Sequence, residues 1–367
     1  MTVTKNAGMT SAAAGRYRLH GLKLSYFTGK LEAYMRAKGL EYDFVPMDLA
    51  DFRACARATG IAQMPQLQTP EGDWLTDTTS IIAHLEAGEP GPSFLPGDRE
   101  ADFLSLFLED AFDEMLWRPA LYYRWAFAED AQLMSGQIAR TLLRDLPLPF
   151  FLRQAFIRQR QKRTFLTRDG VTRATAPAIE GLFHAVVDSL EPVLATRPYL
   201  FGARPCAADF GLFGSVFRHF SIDPTPAAIL RDKAPNLLAW SARLWAAQPS
   251  LLEAVPSLQS APVDLDPVLS LAGAEHLVYL GRNEDALLAG ARQVVWISQG
   301  VEFRAPVAPY RAVCLNALRA RYQALDEASR QRVAGRIGFN VDVLAAPASH
   351  LTIPAGGRPV DRLWSSA

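Results

Sequence analysis

Met64-Pro65-Gln66-Leu67, followed ten residues on by Asp77-Thr78-Thr79, is the stretch that decides the fold. Pro65 stands just ahead of a short apolar run. A proline cannot donate to a sheet ladder, so it belongs at a strand start or a bulge. A bond of the X-Pro type adopts the cis form at modest cost. In that form Met64 would turn its free N–H and C=O toward an extended ligand, as an edge strand does. Gly72-Asp73 reads as a turn and Trp74-Leu75-Thr76 as a second short strand. Asp77 and Thr78 then open an apolar helix through Ile81-Ile82-Ala83-His84-Leu85-Glu86. Free N–H groups and a hydroxyl at a helix N-terminus suit a carboxylate. The segment thus predicts a backbone clamp and an anion hole about one strand pair apart.

The residues upstream complete a pattern. Tyr17-Arg18-Leu19-His20-Gly21-Leu22 reads as a strand. Ser25-Tyr26-Phe27-Thr28-Gly29-Lys30 leads into a helix with Leu31, Tyr34 and Met35 on one face and Gly39 as its stop. Tyr42-Asp43-Phe44-Val45 is the next strand. From Tyr17 to about Glu86 the order is strand, helix, strand, helix, strand, strand, helix. This order, with Met64-Pro65 and Asp77-Thr78 in place, resembles the thioredoxin-like domain of the glutathione transferases. There an apolar residue and a cis-proline precede the third strand, and Glu-Ser opens the following helix. Here Asp77-Thr78 keeps the acid-hydroxyl pair with a side chain one methylene shorter. The resemblance implies glutathione as cosubstrate. Asp77 and Thr78 would hold its γ-glutamyl end, and Gln63, Met64 and Pro65 would run beside its cysteinyl backbone.

The reactive position of that family lies at the start of the first helix. By its spacing to Lys30, Ser25 matches the catalytic serine of serine-type members and the cysteine of omega-type ones. Glutathione brings its own thiol, and the thiolate is the nucleophile. A hydroxyl donor at the positive end of a helix favours the ionised thiol. Lowering a thiol by about two units is roughly 2.7 kcal/mol of differential stabilisation. Tyr26 and Thr28 are neighbouring hydroxyls, and a serine at this place also serves as a plain N-cap. Residue types alone leave these readings open.

The chain has 367 residues, half of them apolar, with a formal net charge of zero. That length suits two or three domains with full cores. The charge balance argues against electrostatic capture of nucleic acid. No apolar run reaches the length of a membrane span. Residues 1–16 are small and polar and read as a disordered tail, without the apolar core of a signal peptide. Cys55, Cys206 and Cys314 are three and far apart. They suggest a reducing, cytoplasmic setting and neither a disulfide framework nor a metal site.

The thioredoxin-like domain is placed at 17–88, ahead of a linker with Gly88, Pro90, Gly91, Pro92, Pro96 and Gly97. An all-α domain follows at 97–260. Leu104, Phe107, Leu108, Ala111, Phe112 and Met115 recur at helical spacing, as do Ile179, Leu182, Phe183, Val186, Val187 and Leu190. Pro205-Cys206-Ala207-Ala208-Asp209 resembles the family's capping box at the start of its central helix. Asp209 would reach back to the N-cap backbone, while Cys206 replaces the usual hydroxyl; both read as structural. The helical domain should wall a hydrophobic second substrate. Tyr26, Phe27, Trp117, Tyr122 and Tyr123 are the candidates. Arg118 and Arg124 are possible partners for an acidic group of a ligand. His219, alone in an apolar helix, reads as a core residue.

Between these elements runs the basic segment Arg153, Arg158, Arg160, Lys162, Arg163 and Arg168. An exposed amphipathic helix is its plain reading, a membrane-surface or partner helix the other. Leu146-Pro147-Leu148-Pro149-Phe150-Phe151 ahead of it suits a lid or a subunit contact. Residues 261–367 extend beyond an ordinary transferase and read as mostly helical. Helices are expected at Ala274 to Ala291 and Val313 to Leu325, with Arg319 and Arg321 on the polar side of the latter. A strand is expected at Val294-Val295-Trp296-Ile297, and an extended surface tail from Gly335. The Phe27-Thr28-x-Lys30-Leu31-Glu32 and Trp117-Arg118-Pro119-Ala120-Leu121 segments resemble those of long bacterial members.

Two functions fit. One is a glutathione transferase-like enzyme that activates the thiol for attack on a hydrophobic electrophile, by conjugation, ether cleavage or dehalogenation. It would be a homodimer, as this fold usually is. The alternative is a binding or scaffold protein that keeps the fold without turnover.

Overall fold

The computed structural model describes residues 15–349, so the expected tail lies almost wholly outside the described residues, as does the chain beyond 349. The first unit runs β1 (Tyr17–Gly21), α1 (Tyr26–Lys38), β2 (Tyr42–Pro46), α2 (Leu49–Thr59), β3 (Gln66–Gln68), β4 (Trp74–Thr76) and α3 (Thr78–Gly88). The sheet order is β2-β1-β3-β4. β1 and β2 are parallel, while β3 pairs antiparallel with both β1 and β4. This is the thioredoxin-like arrangement. Gly39 ends α1 in the left-handed region at φ 83°, accepting what a side-chained residue resists.

The second unit is helical: α4 (Arg99–Met115), α5 (Trp117–Ala126), α6 (Ala128–Thr141), α7 (Phe150–Gln161), α8 (Ala176–Thr196), α9 (Ala207–Ser215), α10 (Pro224–Lys233), α11 (Pro235–Trp245) and α12 (Pro249–Glu253). α9 is the central helix. Its Asp209 carboxylate accepts from Cys206 N at 3.0 Å, Leu200 N at 3.0 Å and Trp240 Nε1 at 2.8 Å. The cap therefore rests on the acid, and the Cys206 thiol donates to that acid at 3.4 Å. α1 lies close on α9: a Cβ at Gly214 would meet the Tyr26 carbonyl oxygen at 2.7 Å.

The remaining chain folds as α13 (Asp266–Ala272), α14 (Val278–Leu288), β5 (Gln293–Ser298), β6 (Val301–Pro306), α15 (Pro309–Gln323), α16 (Glu327–Ile337) and α17 (Asp342–Ala345). Two expectations are corrected here. Residues just past Gly335 are not an extended tail, because α16 runs through Ile337 with Val333 and Ile337 buried. Arg319 is not on a solvated face: burial is made possible by a paired Glu284, with both nitrogen-oxygen contacts at 2.7 Å. Arg321 is about half exposed.

The extension docks along one face of α4. Arg332 and Ser329 hold Glu100, the second at 2.9 Å. Tyr322 packs on Phe103 at 5.5 Å between centroids. His276 Nε2 meets Asp110 at 2.6 Å, and Arg311 pairs with Glu114. Successive turns of one helix thus carry the partners of a segment more than a hundred residues away.

Candidate active site

Strand register gathers the predicted residues. Gln66 faces His20 on one side and Thr76 on the other. Ser25 follows β1, Met64-Pro65 precedes β3, and Asp77-Thr78 follows β4. All three segments therefore leave the same end of the sheet. The Met64-Pro65 bond is cis. The Met64 side chain packs on the cluster holding Leu22 and Met47, and Gln63 accepts from the Gln66 amide at 3.2 Å. Asp77 has φ 73° and caps α3, its Oδ1 accepting from Ser80 N at 3.0 Å. Thr78 is the first residue of α3.

The loop that carries Ser25 is held from three sides. Ser25 N donates to Leu22 O at 2.9 Å, and Gly29 N donates to Ser25 O at 3.0 Å. Arg124 reaches from α5 to Leu24 O at 2.8 Å. Its other contacts, to Asp223 at 2.8 and 2.9 Å and to the Arg218 carbonyl, explain why this arginine is buried. Ser25 is half-buried, and its Oγ accepts from Thr28 N at 3.4 Å. An acceptor role toward the helix leaves the hydroxyl proton available for an outside partner.

The competing hydroxyls face inward. Tyr26 is 2 % exposed and donates to Phe112 O at 2.6 Å. Burial and the nearby Asp113 push its phenol well up. Thr28 is fully buried with its hydroxyl unpartnered among the described residues. Of the three hydroxyls, only Ser25 is reachable from the sheet end.

Lys30 lies behind the site, fully buried and ion-paired with Glu109 and Asp113. It also donates to Thr79 Oγ1 at 3.1 Å, tying α1 and α4 to the first turn of α3. The carboxylates overcome the desolvation that opposes its charge and hold the amine above its ordinary range.

Among the proposed wall residues, Phe27 and Trp117 come together, stacked at 5.9 Å with both part-buried. The structure does not bring the others to a wall. Tyr26 lies behind them. Tyr122 turns to α8 and donates to Glu180 at 2.6 Å. Tyr123 is 2 % exposed within a cluster of Phe127, Phe183 and Phe220. Arg118 is held between Tyr279 and Trp296 at 4.9 and 4.5 Å from their rings. Those two rings, with Met115, Arg118, Ile179 and Phe303, line a pocket under the β5–β6 hairpin. His219 is a core residue whose pKa is driven down by burial.

Three features escaped the sequence reading. The Tyr310 hydroxyl donates to Asp77 Oδ2, and Arg311 beside it is paired with Glu114. No local signal links positions so far apart. His20, Asp51 and Cys55 also converge, with His20 Nδ1 3.0 Å from Asp51 Oδ2 and 3.5 Å from Cys55 Sγ. Burial and Asp51 push the Cys55 thiol up to about 12.

Residues 19–93 match the family model for the glutathione S-transferase N-terminal domain, and residues 172–243 match that for its C-terminal domain. The chain belongs to the glutathione S-transferase superfamily. Among solved structures, it is similar to the β-etherase LigF from Sphingobium sp. strain SYK-6, with 21 % identity over 65 % of this chain and 99 % of that one, at a TM-score of 0.46. It is also similar to a glutathione S-transferase of Methylobacterium radiotolerans JCM 2831 in complex with glutathione sulfonate, with 22 % identity, coverage of 67 % and 98 %, and a TM-score of 0.39. A glutathione S-transferase of Methylobacillus flagellatus KT with glutathione bound gives 18 %, 65 % and 99 %, and 0.40. No curated protein matches the chain. No helix among the described residues is long and apolar enough to cross a membrane.

Proposed function

We propose that this protein is a glutathione transferase that ionises the thiol of bound glutathione at Ser25 and directs it at a hydrophobic electrophile. The observation that carries the reading is the shared sheet end of Ser25, Met64 and Asp77-Thr78, with Tyr26 and Thr28 turned inward. In this account Asp77 accepts from the γ-glutamyl ammonium and the N-terminus of α3 receives its carboxylate. Gln63 and Met64 flank the cysteinyl backbone. The Ser25 hydroxyl donates to the thiolate, and the N-terminus of α1 adds its partial positive charge. The thiolate then forms a carbon–sulfur bond, with either addition or departure of a leaving group. Phe27 and Trp117 form the apolar wall.

A second reading is a member of this fold that binds without turnover. Its support is the Tyr310 hydroxyl already on Asp77. Calorimetry with glutathione tests the first reading. Wild type is expected to bind, and Asp77→Ala to lose about 1–3 kcal/mol, the range for a polar group left unpaired. Absence of wild-type binding would refute it. Binding with no turnover across thioether-forming, ether-cleaving and dehalogenating probes would favour the second.

A further inference from the structure

Phe150 to Arg168 holds six cations and no carboxylate, in a chain whose formal charge is zero. Within α7, only Ile157 is buried. The helix is nonetheless anchored on that side. Arg153 donates to Leu143 O at 2.8 Å, and Gln154 donates to Gln132 O at 2.8 Å. What faces outward is apolar: Leu148, Phe151, Leu152 and Phe156 are 49, 67, 45 and 51 % exposed. At 3.6 residues per turn, Phe151, Leu152 and Phe156 form one stripe opposite Ile157. Arg158 and Arg160 fall on its two edges, and Lys162 and Arg163 lie exposed beyond its end. Among the described residues, no carboxylate pairs with Arg158, Lys162 or Arg163. Arg158 donates to Gln132 Oε1 at 2.9 Å, and Arg163 lies beside the Gln159 amide.

A solvated helix puts its charges outward and its phenylalanines inward. Here Phe151, Leu152 and Phe156 face outward alongside the exposed cations, on an element fixed to the body of the protein. We propose that α7, with Leu148 ahead of it, is a docking surface for anionic lipid headgroups. Phenylalanine and leucine would enter the boundary between headgroups and acyl chains, while flanking cations meet the phosphates. Long arginine side chains reach such a plane with their apolar stems on the stripe. The helix would lie on the membrane, not across it. Charge complementarity selects lipid over a second copy of the chain, because two copies would bring the same exposed cations, Arg158, Lys162 and Arg163, together. The proposal does not rest on the glutathione reading.

Co-sedimentation of the full chain with vesicles tests it. The protein is expected to bind mixed phosphatidylcholine–phosphatidylglycerol vesicles at least about tenfold better than phosphatidylcholine alone, and to be released by salt. Phe151→Ser with Phe156→Ser, and separately Arg158→Glu with Arg163→Glu, should each weaken binding about fivefold or more. The charge-reversal pair alters only exposed side chains and keeps the test valid if the first pair misfolds. Equal affinity for both vesicle types, salt-independent binding or no binding would overturn the proposal. So would a stable dimer in light scattering that the Phe151→Ser, Phe156→Ser pair dissolves, which would assign the stripe to self-association.

Discussion

The Tyr310 hydroxyl donates to Oδ2 of Asp77, joining the first turn of α15 to the N-cap of α3 across 233 positions of sequence. Both Asp77 oxygens are then engaged, since Oδ1 holds the Ser80 amide. In the proposed account, the γ-glutamyl ammonium competes with the phenol for Oδ2. Tyr310→Phe should tighten glutathione binding about two- to fivefold, up to the net contribution of about 1 kcal/mol for one hydrogen bond. Calorimetry decides this. Weaker binding would instead mean that the hydroxyl orients Asp77 for the ligand.

Arg124 links the helical unit to the loop ahead of Ser25 through Leu24 O, while its fork neutralises the fully buried Asp223. Arg124→Met removes both contacts and leaves a buried carboxylate unpaired. Urea denaturation should register a loss of about 3–5 kcal/mol, the range for breaking one side of a buried pair. Adding Asp223→Leu should recover most of that loss. Turnover should recover less, because Leu24 would still lack its clamp. Full recovery of both would place Arg124 outside the positioning of Ser25.

Burial raises the Asp209 carboxyl to about 6, although the amides of Leu200 and Cys206 and the Trp240 indole partly offset the rise. A folded-state value above the unfolded one means that protonation favours the native state. The stability gained is complete below the ordinary carboxyl range and is lost as pH rises through about 6. Asp209→Asn cannot titrate. Its destabilisation relative to wild type should therefore be about 1 kcal/mol larger at pH 5 than at pH 7. Melting curves at the two values check this, and a pH-independent difference would contradict it.

Much of the first unit was legible because its punctuation is local. Pro65, Gly72-Asp73 and Asp77 bound strands of only three residues, β3 and β4. Gly39 ends α1, and Ser25 begins it. The extension was harder to read. β6 is short and alternates Val301, Phe303 and Ala305 with exposed Glu302 and Arg304, a period-two signal only five residues long before Pro306. Its hairpin signal was present in Gln299-Gly300, at φ 47° and 74°, the paired positive values of a tight two-residue turn. α16 is polar apart from a few buried positions, so its periodicity is faint. At the site, Ser25 and Asp77 could be named from their places beside helix starts. Tyr310, Arg311 and the Arg124 clamp could not, since each acts through a partner distant in sequence. The aromatic run from Trp117 to Trp125 misled for a related reason. A helix turns its side chains to every side, and only Trp117 meets Phe27.

The most direct test is the ultraviolet thiolate absorbance of protein-bound glutathione, titrated with pH in wild type and in Ser25→Ala. The account predicts a wild-type thiol about two units below the ordinary value of about 8.5. In Ser25→Ala the thiol should return most of the way to that value, with glutathione affinity retained. An ordinary thiol in the wild-type complex, or an equally depressed one in Ser25→Ala, would contradict the assignment of Ser25 as the group that ionises glutathione.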